Sequence, residues 1–491
     1  MQVRWIPALL VVLLALSAFS AAARDDEASA PESEPFVELP RLRGNVDFWT
    51  LIFSEWTLGQ VVLHDLEHPE IIFEVVDLPG PIEGTYTDEQ TDFITGLRES
   101  WEDYLEQLEK KVAARKPLDG TEKQWAAHFA TTVGTDSLQG AHTRVRSQRG
   151  LRERFREGLE RSFRFDRIIR EILTEHGLPE DLAYLPHVES SFQYHARSSA
   201  GATGLWQFTR GTGRRYLNIN SAIDERLDPI AATRGAAEYL RNAYEKLESW
   251  PLALTAYNHG VQGMLRAKSR FGGDFERIYE EYDGRLFGFA SKNFYAEFLA
   301  ARRIASDPDR YFPEGYTPEP EHDLESVKLG QRVTPAWIAS RYGVPLEQLA
   351  SINAGWSSRA VKSGMRLPSS TEVWLPKGTL EHAEASPSSP LEGSYTVRRG
   401  DTLSGIAAAH GMTIDRLREL NGLSAASSLI RGGQELVVTS APASTVHVVS
   451  RGETLIRIAS SYGVRLADLL SANTLTTSSI IRPGQVLHIP H

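Results

Sequence analysis

Three short segments gather the residues able to do acid–base and hydrogen-bond chemistry. They are Leu185-Pro186-His187-Val188-Glu189-Ser190-Ser191-Phe192, the run from Ser198 to Gln207 (SSAGATGLWQ), and Ala256-Tyr257-Asn258. In the first, Leu182, Leu185 and Glu189 stand at i, i+3 and i+7, which places the carboxylate on the apolar stripe of a helix. Ionising a carboxyl group on a buried face is unfavourable, so its pKa rises. A general acid working near neutral pH needs that rise. A glutamate at a helix end can instead turn outward to solvent, and spacing alone does not choose between the two.

The neighbouring residues each have a plain use beside a chemical one. Tyr257 and Trp206 suit a core as aromatics with satisfied polar ends. Ser190 suits a helix cap, and Gly201 and Gly204 permit a tight backbone path. His187 lies two residues before Glu189, but i and i+2 do not face each other on a helix, and no H-E-x-x-H pattern occurs. Asp224, Glu225 and Asp228 are the obvious second carboxylates. Asp228-Pro229 reads better as an N-cap and first helical position, and all three are left out of the chemistry. Neither a metal nor a cofactor is called for, and no glycine-rich nucleotide turn appears.

The elements that must position these residues are mostly helical. Apolar residues recur at helical spacing from Thr87 to Arg115 (Phe93, Leu97, Trp101, Leu105, Leu108, Val112). A charged helical stretch runs from Arg149 to His176. Gly177 ends it, and Pro179 opens the next helix. Helix then follows helix to about Arg303, most clearly over Ala231 to Leu247 and again from Leu252 to Asn258. Between 46 and 80, β-branched and aromatic residues mix (Phe48, Trp49, Ile52, Ile71, Phe73). That region has no assigned function, and a packing partner for the helical domain is its simplest use.

The tail repeats. Gly400, Thr402, Leu403, Ile406, Ala407, Gly411, Leu417 and Asn421 recur 52 residues later as Gly452, Thr454, Leu455, Ile458, Ala459, Gly463, Leu469 and Asn473. Each copy opens and closes on a short β pattern with two helical turns between. A weaker copy lies 68 residues upstream (Ile338, Ala339, Gly343, Asn353), with Gln331-Arg332-Val333 where the acidic-Thr-Leu step is expected. The repeat resembles LysM modules, small βααβ units that bind glycans containing N-acetylglucosamine. Its conserved-looking apolar positions read as core. The sugar-contact candidates are the loop Gly400, Asp401, Thr402, Leu403 with Ile430, and Gly452, Glu453, Thr454, Leu455 with Ile481.

Bulk properties set the outer limits. The 491 residues are too many for one core. The net charge of -11 leaves no basic excess to neutralise nucleic-acid phosphates. Residues 391–491 hold nine Arg and no Lys against seven acidic residues, a mildly basic tail suited to acidic stem peptides. There is no cysteine, hence no disulfide, thiolate metal site, cysteine nucleophile or lipid-modified N-terminal cysteine. Arg4, the apolar run Leu9 to Leu16 and Ala21-Ala22-Ala23 read as a cleaved export signal, with an uncleaved anchor as the alternative.

Taken in order, the three segments resemble the lytic transglycosylases of the goose-type lysozyme superfamily, most of all the membrane-bound lytic murein transglycosylase D type with C-terminal LysM units. The glutamate–serine pair falls on Glu189 and Ser190, and the Ser-x-x-Gly-Ala step on Ser198, Gly201 and Ala202. The Gly-Leu-(Met/Trp)-Gln step falls on Gly204 to Gln207, and Ala-Tyr-Asn on Ala256 to Asn258. The resemblance implies a multidomain chain, with an all-α lysozyme-like catalytic domain followed by small α+β LysM modules. Its expected layout is a signal peptide over 1–23, a disordered spacer over 24–45, an unassigned region over 46–148 and the catalytic domain over 149–312. A degenerate LysM-like unit over 325–376 and LysM units over 394–438 and 445–490 follow.

The implied reaction uses one carboxylic acid. Glu189 protonates the oxygen between N-acetylmuramic acid and N-acetylglucosamine, then takes a proton from the C6 hydroxyl as a 1,6-anhydro ring closes. Ser190, Ser198, Gly201, Gln207, Tyr257 and Asn258 are the implied substrate-binding residues. The expected partner is the peptidoglycan strand in a Gram-negative envelope, with peripheral membrane association also compatible and no nucleic acid. A lysozyme-type hydrolase, which usually needs a second carboxylate, and a non-catalytic LysM scaffold are the alternatives.

Overall fold

The computed structural model describes residues 34–381, 392–398, 400–410, 412–421, 423, 429–439, 446–449, 453–461, 464–473, 475–476, 479, 481–482 and 485–488. The expected leader over 1–23 lies outside the described residues, as do Ser386 to Pro390 and Ser440 to Ser444, whose small-residue and proline composition reads as linkers. The chain divides into two units. One comprises the residues up to Leu217 with Pro229–Glu321, and the other comprises Asn218–Asp228 with His322–His491.

In the first unit, helix α1 (Arg43–Ser54) leads into an antiparallel sheet of β1 (Gln60–Asp65), β2 (Ile72–Asp77) and, after two helices, β3 (Val145–Arg149), in the order β2-β1-β3. Helix α2 (Asp88–Ala113) starts on a capping box of Thr87 and Gln90, and α3 (Gly120–Thr132) on one of Asp119 and Glu122. Their apolar faces meet the sheet through Val61, Leu63, Phe73, Trp101, Leu105, Trp125 and Phe129. His64, on the opposite face of β1, packs on Phe48 and on Phe289 at 4.5 and 5.7 Å between ring centres.

The helical domain follows. It comprises α4 (Arg152–Ser162), α5 (Asp166–Glu175), α6 (Leu185–Ser190), α7 (Arg210–Gly213), α8 (Pro229–Leu247), α9 (Trp250–His259), α10 (Val261–Phe271), α11 (Phe275–Glu281), α12 (Phe289–Ser306) and α13 (Pro308–Tyr311). The stretch read as one helix from Arg149 to His176 is two, because Phe163 to Phe165 break it and bury Phe165. Helix α12 runs through the middle of the domain, with α1, α6 and α9 packed around it.

One expectation needs correction here. The spacer expected over 24–45 is ordered from residue 34 onward. Phe36 is 1% exposed against Phe298 and Trp250, Tyr295 donates to the Val37 carbonyl at 2.9 Å, and α1 begins at Arg43. The unassigned region, for which a packing role was expected, is part of the first unit. Buried Asn45 donates to Tyr279 (2.8 Å) and to Asn293 Oδ1 (2.9 Å), which also accepts from the Trp49 indole at 3.1 Å. Buried amides paired in this way fix α1 against α12 in one register.

Among the described residues, the second unit holds three small modules, a βαααβ unit followed by two βααβ units. Strand β4 (Leu324–Lys328) pairs antiparallel with β5 (Glu372–Pro376), β6 (Glu392–Thr396) with β7 (Glu435–Thr439), and β8 (Val446–Val448) with β9 (Val486–His488). The recurring asparagine has a clear physical role. Asn421 donates to Leu417 O and Val437 O at 2.8 Å each and accepts from Val437 N at 2.7 Å, tying the second helix to the closing strand. Asn353 does the same with Leu349 and Trp374.

The first module departs less from the repeat than its sequence implied. Thr334 caps its first helix by accepting from Trp337 N, as Thr402 accepts from Gly405 N in the second module. The chain before α8 also enters this module's core. Ala222 and Ile223 are buried with Ile338, Leu349 and Trp356, Asp224 N donates to Gly355 O (2.8 Å), and Ser357 N donates to Ala222 O (2.9 Å). Among the described residues, no helix is long and apolar enough to cross a membrane.

Candidate active site

Glu189 sits near the end of a six-residue helix, α6. The apolar stripe inferred from Leu182, Leu185 and Glu189 is buried as expected at both leucines. It crosses a junction, however, because Glu180–Tyr184 is 3-10 helix and α6 begins only at Leu185. Beyond Ser190 the chain turns sharply, and Ser191 and Phe192 both adopt positive φ (47° and 58°). Such backbone is unfavourable for residues with a Cβ and persists only where the surroundings hold it.

Helix α4 supplies that hold. Arg161 Nε and Nη2 donate to the Ser191 carbonyl at 3.0 and 2.9 Å. Gly158 lets α4 approach, since a Cβ there would stand 3.1 Å from Ser191 Cβ and O. His187 is stacked on Phe155 at 4.9 Å and set edge-on to Phe192. Burial pushes its imidazole down to about 3, so it is a neutral core ring.

The second motif forms a folded loop beside α6. Ser198 Oγ accepts from Ala202 N at 3.0 Å, and Gly201 and Gly204 take φ of 80° and 85°. Ser190 Oγ donates to Leu205 O at 2.8 Å, joining the glutamate–serine pair to the loop. Trp206 is fully buried, and its indole donates to Thr233 Oγ1 at 2.9 Å. Gln207 holds a strained φ of 46°, and its amide donates to Gly204 O at 2.8 Å. The third motif locks the second, for the Tyr257 hydroxyl donates to Trp206 O at 2.8 Å. Asn258 is exposed, and its Oδ1 accepts from Ser291 on α12 at 2.7 Å.

Ser190 and Tyr257 both bond the Ser198 to Gln207 loop, while Asn258 bonds Ser291 on α12. Among the described residues, none of Ser190, Gln207, Tyr257 or Asn258 hydrogen-bonds the Glu189 carboxylate itself. Their bonds hold backbone. Burial first, and the charge of Glu297 second, push the Glu189 carboxyl up to about 8. The Tyr257 phenol is raised well above its ordinary value by burial and by Glu189 and Tyr239, so it stays a proton donor.

Glu297 is the residue that the motif reading did not find. It lies on α12, 108 residues beyond Glu189, and burial pushes its carboxyl up to about 8 as well. Its signal was a lone charge inside the apolar run from Phe294 to Ala301. Of the carboxylates considered from sequence, Asp224 and Glu225 have partners within the second unit. Asp224 pairs with Arg226 at 2.8 Å, and Glu225 accepts from Asn218 N and Nδ2. Among the described residues, no group of three or more metal-ligating side chains is assembled.

The LysM candidates divide into core, cap and surface. Leu403 and Leu455 are buried, and Ile430 and Ile481 lie half-buried against the same cores. Asp401 accepts from Arg398 N (2.6 Å) and from the Tyr395 hydroxyl (2.8 Å), while Glu453 lies 2.7 Å from His447. Thr402 and Thr454 accept from the first turn of their helices. Gly400 is exposed at φ 98°, and Gly452 lies outside the described residues. Two aliphatics beside these loops are open to solvent, Leu429 at 77% and Ile456 at 66%.

Parts of this chain are similar to known proteins. The family described as Transglycosylase SLT domain matches residues 167–278, and the LysM domain matches 334–367, 395–439 and 447–490. Membrane-bound lytic murein transglycosylase D of Escherichia coli (strain K12) is 29% identical over 346 residues, covering 63% of this chain and 73% of that protein. N-acetylmuramoyl-L-alanine amidase sle1 of Staphylococcus epidermidis is 32% identical over 179 residues, 34% of this chain and 50% of that protein. Among solved structures, lytic transglycosylase Slt of Pseudomonas aeruginosa shares 21% identity over 31% of this chain and 25% of that one, with a TM-score of 0.24. The chain thus combines a helix-rich transglycosylase SLT domain with LysM domains carrying small sheets.

Proposed function

We propose that this chain is a peptidoglycan lytic transglycosylase that cleaves the MurNAc-β-1,4-GlcNAc bond and leaves a 1,6-anhydro-MurNAc end. The observation that carries the reading is Glu189 beside a loop locked by Ser190 and Tyr257, its carboxyl pushed up to about 8 by burial. Protonated Glu189 donates to the leaving oxygen, and the C1–O bond breaks. The sugar's own 2-acetamido group stabilises the cationic centre, as in substrate-assisted glycosidases. Glu189, now ionised, takes the proton of the C6 hydroxyl as that oxygen bonds to C1. No water enters, and Glu189 ends protonated, ready for the next turnover.

The exposed amide of Asn258 and the exposed stretch from Ser198 to Gly201 are the surfaces offered to the sugar. The LysM domains keep the chain on its glycan. Export through the N-terminal leader would place the enzyme in the cell envelope, in the periplasm of a Gram-negative bacterium.

Glu297 is the one feature that favours a hydrolase, because a second carboxylate can position water. Digestion of purified sacculi, with mass spectrometry of the released muropeptides, separates the two readings. Anhydro ends, lighter by one water, are expected. Reducing ends would overturn the proposal, and no release from several peptidoglycans would leave a binding scaffold.

A further inference from the structure

A single exposed aliphatic side chain is ordinary on a protein surface. Leu286, in the turn between α11 and α12, is 70% exposed, and two features set it apart. Its turn is fixed, and the turn lies against the third motif.

The fixing is done by rings and by glycine. Phe287 is buried against Tyr282 and His259, each 5.1 Å away between ring centres. Phe287 N donates to Gly284 O at 2.7 Å, and a Cβ at Gly284 would stand 2.5 Å from the Tyr282 ring. The Tyr282 hydroxyl donates to Gly263 O on α10 at 3.3 Å. A Cβ at Gly263 would stand 2.3 Å from the His259 ring, so glycine there admits the ring. A turn held at this many points presents its tip in one place.

Direct contacts lead from that tip to the acid. The buried Ser291 hydroxyl donates to Asn258 Oδ1 at 2.7 Å and lies 3.4 Å from Leu286 O, so one group touches both residues. Asn258 follows Tyr257, which donates to Trp206 O. The preceding carbonyl, of Leu205, accepts from Ser190, the neighbour of Glu189. Asn258, Arg285 and Leu286 are all exposed. Asp283, in the same turn, is paired with Arg270 at 2.7 Å. Among the described residues, Arg285 has no acidic partner. The turn therefore carries a guanidinium and an isobutyl group in sequence beside Asn258.

A neutral glycan has no use for that cation. The lactyl group of N-acetylmuramic acid, however, bears a short peptide with free carboxylates and alanine methyl groups. Guanidinium pairs well with carboxylate, and the leucine suits the methyls. We propose that Arg285 and Leu286 form a stem-peptide subsite, in which Arg285 takes a peptide carboxylate and Leu286 covers the neighbouring methyl groups. Muramic acid that carries its peptide is then bound in preference to bare glycan.

The subsite rests on the transglycosylase reading for the identity of the strand, and its test keeps the two apart. Uncrosslinked glycan strands are prepared with stem peptides intact and with the peptides removed by an amidase. Values of kcat and KM are measured on both for the native chain, Arg285→Ala and Leu286→Ser, with products identified by mass spectrometry. The native chain should have the higher kcat/KM on peptide-bearing strands. Each variant should lose about three- to tenfold of that preference, through KM rather than kcat. Added salt should erode the native preference and leave that of Arg285→Ala unmoved.

A native chain without preference overturns the subsite, as does a native ratio in either variant. Equal losses on both kinds of strand overturn it too. Reducing ends released with the preference intact would sink the transglycosylase reading and leave the subsite standing. If the native chain cleaves neither form, Kd for the two forms decides, and the same peptide dependence in the native chain and Arg285→Ala overturns the subsite.

Discussion

The Tyr257 hydroxyl donates to the carbonyl oxygen of Trp206 at 2.8 Å, across 51 residues of sequence. That bond fastens the helix carrying Ala256-Tyr257-Asn258 to the loop carrying Gly204 to Gln207, next to Glu189. Tyr239 repeats the device one layer out by donating to Ala256 O at 2.8 Å. Tyrosine here serves the acid by holding the backbone around it.

Tyr257→Phe should therefore destabilise the catalytic unit by about 1–2 kcal/mol, the cost of a lost hydrogen bond with a buried carbonyl left unpaired. Thermal melts read the loss directly. Muropeptide release should fall while sacculus binding is retained. A variant as stable and active as the native chain would show that the bond holds nothing.

Glu189→Gln should reduce the release rate by about 10²–10⁴-fold, the range supplied by a general acid–base residue. Its stability has a defined pH dependence. The native carboxyl binds its proton more tightly when folded, because its pKa is raised from 4.5 to about 8. The associated stability is complete in acid and is lost as pH rises between those values. The variant has no such loss. Its melting temperature relative to the native chain should rise from pH 5 to pH 9, and a constant difference would mean that Glu189 is not held protonated.

The native pH–rate profile should stay high through neutrality and fall above about pH 8, where Glu189 gives up its proton. A falling limb at pH 5 to 6 would place the acid near the ordinary carboxylate range and contradict its desolvation.

Asn421→Ala removes three hydrogen bonds between a helix and the closing strand of the second module. At about 1 kcal/mol for each bond, a loss of about 3 kcal/mol is expected, enough to unfold a module this small. Pull-down with sacculi should weaken, and release of soluble glycan fragments by the SLT domain should not change. Unaltered sacculus binding would assign retention on the wall to the other modules.

The Ser198 to Gln207 motif and the module caps were readable from sequence because they are closed by short-range bonds, unlike the Ala256 to Asn258 motif. Ser198 meets Ala202, Gln207 meets Gly204, and Thr402 meets Gly405, so residue type and spacing already carry the geometry. The repeat register was equally visible, since a recurring asparagine, a helix cap and core aliphatics survive divergence at constant spacing. The degenerate module was underestimated for the same reason in reverse. Its cap Thr334 remains, but the acidic residue and leucine around it are gone.

By itself, the sequence determined the helical character around Glu189, the order of the three motifs, the repeats and the residue assigned as acid. Only the tertiary structure decided what surrounds that acid. It made residues 46–148 part of the first unit, ordered the chain from residue 34, sent Ala222 and Ile223 into the first module, and put Glu297 on the helix that packs against α6. Hydrogen-bonded turns act over a few residues and leave a local pattern. Desolvation and charge repulsion sum over every segment that comes near, however distant in the chain. A pKa near 8 is therefore a property of the packed α6–α12 contact, which no spacing in the sequence records.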